Sequence, residues 1–114
     1  MWQMGGLGPI LGQVHHFVFY NKGLSEYSEE RYTTEANRLY GVLDERLAGR
    51  DFIVDEFSIV DCAVFPWIAR WDRQEQDLNK FANVKRWFLA MADRPAVQRG
   101  YLVPDDSQTI PMPD

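Results

Sequence analysis

The fifteen residues from Phe57 to Trp71, FSIVDCAVFPWIARW, constrain this chain most, because they join a helix-start signature to a helix with almost no polar face. Ser58 and Asp61 stand three apart, the spacing of a capping box. The serine hydroxyl then accepts from the Asp61 amide, and the carboxylate reaches back to the Ser58 amide. Asp takes the place of the usual Glu or Gln. Phe57 before the cap and Cys62 at the fourth helical position have the spacing of a hydrophobic staple. Ile59, Cys62, Ala63, Phe65, Trp67, Ile68 and Ala69 leave so little polar surface that the helix is expected to be surrounded by others. Pro66 is expected to bend it. Capping already explains Asp61, so no catalytic role is assigned to it.

The rest of the chain reads as helix as well. From Tyr27 to Ala48, Tyr32, Ala36, Leu39, Tyr40, Leu43 and Leu47 follow the 3.6-residue period. Ser25 or Ser28 supplies the start of that helix and Gly49 its stop. Glu45, Arg46 and Arg50 near its end read as a solvated face. Residues Met1 to Phe19 mix five glycine and proline breakers after Met4 with a helical apolar pattern, Trp2, Met4, Leu7, Ile10, Leu11, Val14 and Phe17. A kinked helix ending near Phe17 and packed closely on a neighbour reconciles the two, with its glycines as a contact surface. Phe52 to Val54 is a short link, and the polar stretch Asp72 to Asp77 either continues or ends the capped helix. Val84, Trp87, Phe88 and Met91 mark a helix over Asn83 to Asp93, and Pro95 suits the first position of a last short helix to Gly100. No period-2 alternation and no Asn-Gly or Asp-Gly turn is present. The fold class is therefore all-α, five to six helices bundled around one aromatic core over residues 1–103, with a flexible tail over 104–114.

Length and charge narrow the function. The 114 residues allow one domain. Twelve basic against seventeen acidic residues give a net charge of −5 with no basic stripe, so nucleic acid is not an expected partner. The single cysteine, Cys62, precludes an internal disulfide and reads as a small buried hydrophobe in a reducing compartment. No apolar run approaches the ~20 residues that span a bilayer, and the opening residues lack the pattern of a signal peptide. The expectation is a soluble, cytoplasmic chain without membrane partners.

Candidate chemistry is sparse. His15 and His16 are adjacent, point about 100° apart on a helix, and have no third ligand at metal spacing, so no metal is expected. Both are instead placed in a substrate groove, one lining it and the other packing or capping. Glu26, Glu29 and Glu30 cluster at a helix start, where the macrodipole favours them. Gly5, Gly6 and Gly8 lack the preceding strand and following Lys-Ser or Lys-Thr of a phosphate cradle. Arg31 is a cation in the first turns of a helix, against the dipole, where a ligand or partner would hold it.

Taken together, Ser58-Ile59-Val60-Asp61, the following Phe65-Pro66-Trp67 and the closing NVKRWFLAMADRPAVQRG resemble the C-terminal helical domain of glutathione transferases. The opening MWQMGGLGPILGQVHHF and Glu30-Arg31-Tyr32 resemble the bacterial nu class, which includes glutathione-dependent disulfide reductases. The resemblance implies a first helix that begins truncated, and a chain without the N-terminal thioredoxin-like domain that binds and activates glutathione in that family. It implies glutathione as the co-substrate of the full-length family, with no tight binding expected here, and a contact to it from Arg31. It also implies a substrate-side wall and a homo-oligomer interface. Val14 stands where the nu pattern often has Asn, which removes a polar group there. A stand-alone transferase-like interaction module is the alternative.

Overall fold

The computed structural model describes all 114 residues and contains five α-helices and no strand; a single isolated bridge joins Val54 and Glu56. The helices are α1 (Gly8–Val14), α2 (Glu26–Leu47), α3 (Ile59–Ile68), α4 (Ala82–Ala92) and α5 (Pro95–Tyr101), with a 3-10 turn at Leu78–Lys80. π-helical segments, Gln3–Leu7 and His15–Tyr20, flank α1, so the first helical run extends to Tyr20 rather than ending near Phe17. The irregularity expected from Pro9 takes the form of a widened turn, in which the Gly8 amide bonds to the Gln3 carbonyl.

Two of the three helices longer than two turns, α2 and α4, owe an end to other parts of the chain. Ser25 caps α2, its hydroxyl accepting from the Ser28 amide at 3.3 Å. The far end of α2 is closed by arginines rather than left to solvent. Arg86 donates to the Leu47 carbonyl at 2.7 Å, Arg50 to the Arg46 carbonyl at 3.0 Å, and Arg46 to the Ile53 carbonyl at 2.7 Å. Glu45 and Arg46 are exposed, as a solvated face requires, but Arg50 is half-buried and both arginines hold carbonyls, that of Arg50 lying at the helix C-terminus, where unpaired carbonyls draw cations. No side chain of its own caps α4. Asp44 of α2 does so instead, accepting from the Asn83 and Val84 amides at 2.9 and 3.1 Å.

The core gathers Leu7, Leu11 and Val14 of the first run, Ala36, Leu39, Tyr40, Leu43 and Leu47 of α2, Val64, Phe65 and Ile68 of α3, and Val84, Trp87, Phe88 and Met91 of α4. Phe65 stacks on Phe88 with centroids 5.0 Å apart, and Trp71 and Trp87 meet these two rings edge-on. Gly8 and Gly12 face the Trp67 indole, which would lie 3.4 Å and 3.8 Å from a Cβ at each.

The capping box of α3 is closed at both ends. The Ser58 hydroxyl also accepts from the Val60 amide, and the Asp61 carboxylate accepts from the Ser58 amide at 3.0 Å. Asp61 does more than cap. Fully buried, it also accepts from the Trp87 indole at 2.9 Å and the Ile53 amide at 3.2 Å. Two expectations about this helix fail for one reason. It packs mainly against the first helical run and α4, while α5 meets it only at Phe65 and leaves an open cleft, so the face carrying Ile59, Cys62 and Pro66 is uncovered. Ile59 is 85% exposed, and Cys62 is exposed rather than buried. The Phe57 ring lies edge-on to Phe52 and 3.8 Å from the Arg94 guanidinium. After Ile68 the chain leaves the helix in a series of turns that bury Gln74 and Gln76, and the stretch expected only to be polar enters the core. Residues 104–114 have no regular structure; Ile110 packs against the core and Lys85 donates to the Asp114 carbonyl at 2.6 Å.

Candidate functional site

The Ser25 cap and a Glu29 carboxylate that accepts from the Gly23 amide at 2.9 Å fix where α2 begins, and so where Arg31 points. The next residue, Tyr32, stacks on Phe17 of the first helical run, centroids 5.5 Å apart, which holds the two helices in register. Between them lies an open cavity of about 610 Å³ lined by Ile10, Tyr27, Glu30, Arg31, Thr34 and Glu35 among others. Tyr27, Glu30, Arg31, Thr34 and Glu35 recur three and four residues apart, one face of α2. Glu35 is held by Arg38 through two bonds of 2.7 and 2.8 Å, and that guanidinium keeps its carboxyl below the usual range. Arg31 has no hydrogen-bond or ion-pair partner in the protein, so its five donors face the cavity and solvent.

His15 lies elsewhere. It lines a separate cavity with Pro66, Trp67 and Arg70, and its ring stacks over Trp67 at 5.8 Å. Buried Gln74 orients it. The Gln74 amide nitrogen is 2.8 Å from the Trp67 carbonyl and 3.0 Å from His15 Nε2, while its oxygen accepts from the Tyr40 hydroxyl. With both amide hydrogens so used, His15 Nε2 is the acceptor and the ring is neutral. Burial, then the nearby Arg70 and Arg73, hold the imidazole below its ordinary value against the opposing charge of Asp72. Burial likewise pushes the Tyr40 phenol up, so it remains a donor.

His16 does not share the His15 cavity. It is exposed, edge-on to Phe17, and its carbonyl accepts from Asn21 at 2.8 Å where the helix ends. A third cleft, of about 280 Å³ and mostly apolar, runs between α3 and α5 with Cys62 on its lining. No three His, Cys, Asp or Glu side chains gather as a metal site, and no helix is long and apolar enough to cross a membrane.

The arrangement is thus an all-helical wall with a free guanidinium in one groove and a neutral histidine in another, and no nucleophile activated beside either. The model of the glutathione S-transferase C-terminal domain matches residues 9–95. The chain belongs to that family. It is 43% identical over 102 residues to the disulfide-bond oxidoreductase YfcG of Escherichia coli, covering 89% of this domain and 47% of YfcG. It is 36% identical over 110 residues to the disulfide-bond oxidoreductase YghU of the same organism, covering 90% of this domain and 38% of YghU. Among solved structures, a glutathione transferase from Pseudomonas putida, with one glutathione disulfide bound per subunit, superposes with a TM-score of 0.84 at 39% identity. That match covers 91% of this domain and 48% of that chain. A Burkholderia graminis transferase with two glutathione molecules per subunit gives 0.83 at 37%, covering 92% and 47%. The domain therefore spans about half the length, or less, of the relatives it matches.

Sequence reasoning missed Gln74 and the neighbours of Arg31. Glutamine gives no periodic signal in a turn, and the 27–31–34 stripe of α2 looks like any solvated face until Ile10 closes over it.

Proposed function

We propose that this chain is the helical, substrate-side half of a glutathione transferase or glutathione-dependent disulfide reductase, and that Arg31 contacts glutathione. The observation that carries this reading is the unpaired Arg31 guanidinium in its cavity, in a chain whose structural neighbours hold glutathione. Glutathione carries two carboxylates, and a planar guanidinium with free donors suits a bidentate carboxylate contact. His15, and His16 beyond it, belong to the wall that the second reactant meets. The thiol-activating residues reside on a thioredoxin-like partner domain outside these 114 residues, so the chain alone binds glutathione weakly and turns over neither a disulfide nor an electrophile. An acidic chain of this kind acts in the cytoplasm, away from nucleic acid and membranes, and associates with copies of itself.

The test is an amide NMR titration of the 114-residue chain with millimolar glutathione. Residues around Arg31 shift in the native chain, and Arg31→Ala removes those shifts while leaving the rest of the spectrum in place. No shift around Arg31 in the native chain sinks the contact. Saturable glutathione-dependent disulfide reduction by these residues alone sinks the division of labour.

A further inference from the structure

Gln74 is fully buried in the turns that follow α3, and its side-chain amide joins three parts of the chain. The Trp67 carbonyl, 2.8 Å from the amide nitrogen, fixes its orientation, because a carbonyl can only accept. On the other side the Tyr40 hydroxyl donates to the amide oxygen. Turned over, the amide would set two oxygens against each other at Trp67. The same nitrogen lies 3.0 Å from His15 Nε2, which must therefore accept, so the one proton of the neutral ring sits on Nδ1. Gln74 is held in turn by its backbone: Gln76 donates to its carbonyl at 3.1 Å, and its own backbone amide donates to the Trp71 carbonyl at 3.1 Å.

His15 Nδ1 bonds to nothing in the protein. Among buried side-chain nitrogens and oxygens only Trp2 Nε1 and Gln3 Oε1 lack a partner, so Nδ1 of the half-buried ring reaches solvent. The cavity beside the ring, of about 370 Å³, is lined by His15, Pro66, Trp67 and Arg70. None of these four side chains has a free acceptor: proline has none, indole and guanidinium carry N–H alone, and the lone pair of His15 faces Gln74. We propose that Gln74 is a positioning residue, which commits His15 to the Nδ1–H tautomer and so makes this cavity a site for a hydrogen-bond acceptor, a carbonyl or carboxylate oxygen of the second reactant. His15 then serves as a fixed donor, neither base nor cation. Its basic nitrogen is turned toward the core, and protonating it would press Nε2–H against the Gln74 amide. The inference rests on the reading of His15 as part of the wall that the second reactant meets, and it deepens that reading without using the Arg31 contact.

The experiment is imidazole NMR on the nitrogen-labelled 114-residue chain at neutral pH, where nitrogen–proton couplings tell which ring nitrogen carries the proton. The native chain is expected to show His15 as the Nδ1–H form. It is then titrated with acetate, an acceptor, and with methylammonium, a donor of similar size. Acetate is expected to shift the His15 ring and methylammonium to leave it in place. Gln74→Met, close in size but without an amide, is expected to bring in the Nε2–H form and to weaken acetate roughly three- to tenfold, the scale of one hydrogen bond. His16, exposed in the same chain, is the internal reference and keeps its spectrum in the variant. Should the variant lose its native spectrum, the tautomer and the acetate shift of the native chain decide. A proton found on Nε2 of native His15 overturns the positioning role alone. An acetate shift that survives Gln74→Met unchanged does the same. The Nδ1–H form with no acetate shift overturns the reading of His15 as a ligand-facing wall, and the inference with it.

Discussion

Asp61 is the residue at which local and tertiary structure meet most directly. The capping box accounts for one of its oxygens, and the other holds the Ile53 amide and the Trp87 indole, both in the core. Ser58→Ala should therefore cost about 1 kcal/mol, as an N-cap loss does. Asp61→Ala should cost roughly 2–5 kcal/mol, because each buried donor left without an acceptor adds about 1–3 kcal/mol. Urea midpoints of the two variants check this, and equal losses would show that the tertiary bonds contribute little. The box was legible from two residues three apart, whereas the partners 8 and 26 residues away were not. His15 makes a second prediction. Its folded value lies below the ordinary 6.5, so the folded state prefers the neutral ring. Its contribution to stability is then complete above about pH 6.5 and is lost as the pH falls from there through the folded value. An NMR titration of the imidazole should find a midpoint under 6.5; one at or above it would refute the neutral, Gln74-bound ring.

At the scale of elements, the helices follow from apolar period and caps, and their ends and exposed faces follow from neighbours. The boundaries expected for α2, α4 and α5 agree with those observed to within one residue. What failed was the environment of α3. An almost wholly apolar helix was expected to be surrounded, yet the face of Ile59, Cys62 and Pro66 is open. Composition tells how much a helix could bury, not how many neighbours the bundle supplies. The glycines of the first helical run divide along the same line. Gly5 has nothing within 4 Å of a Cβ, whereas at Gly8 a Cβ would sit 3.3 Å from the Gln3 carbonyl and 3.4 Å from the Trp67 indole nitrogen. Gly5→Ala should stabilise the chain by roughly 0.5–1 kcal/mol through helix propensity. Gly8→Ala should forfeit that gain or destabilise. Thermal unfolding of both variants decides it, and equal stabilisation would mean that Trp67 yields freely.

For the molecule as a whole, the most exposed large apolar side chains include Met1 and Met4 at the start of the chain and Ile59 on the open face of α3. Contiguous exposed apolar surface favours association. The isolated chain should self-associate, and sedimentation velocity should show a mass that rises with concentration and falls toward the monomer in Met4→Lys and Ile59→Lys. A clean monomer at high concentration would count against it. By itself the sequence determined the all-helical class, the order and near-limits of the helices, the capping box and the family, since each is written in short-range pattern: period, cap spacing, breakers. Only the tertiary structure decided that Asp61 anchors Trp87, that Asp44 caps a helix 38 residues on, that Gln74 holds His15 neutral, and that Arg31 and Glu30 share one cavity unpaired. The first three are contacts between side chains distant along the chain, and the last depends on Ile10 of another helix facing the same groove; no local pattern encodes which of them the packing will bring together.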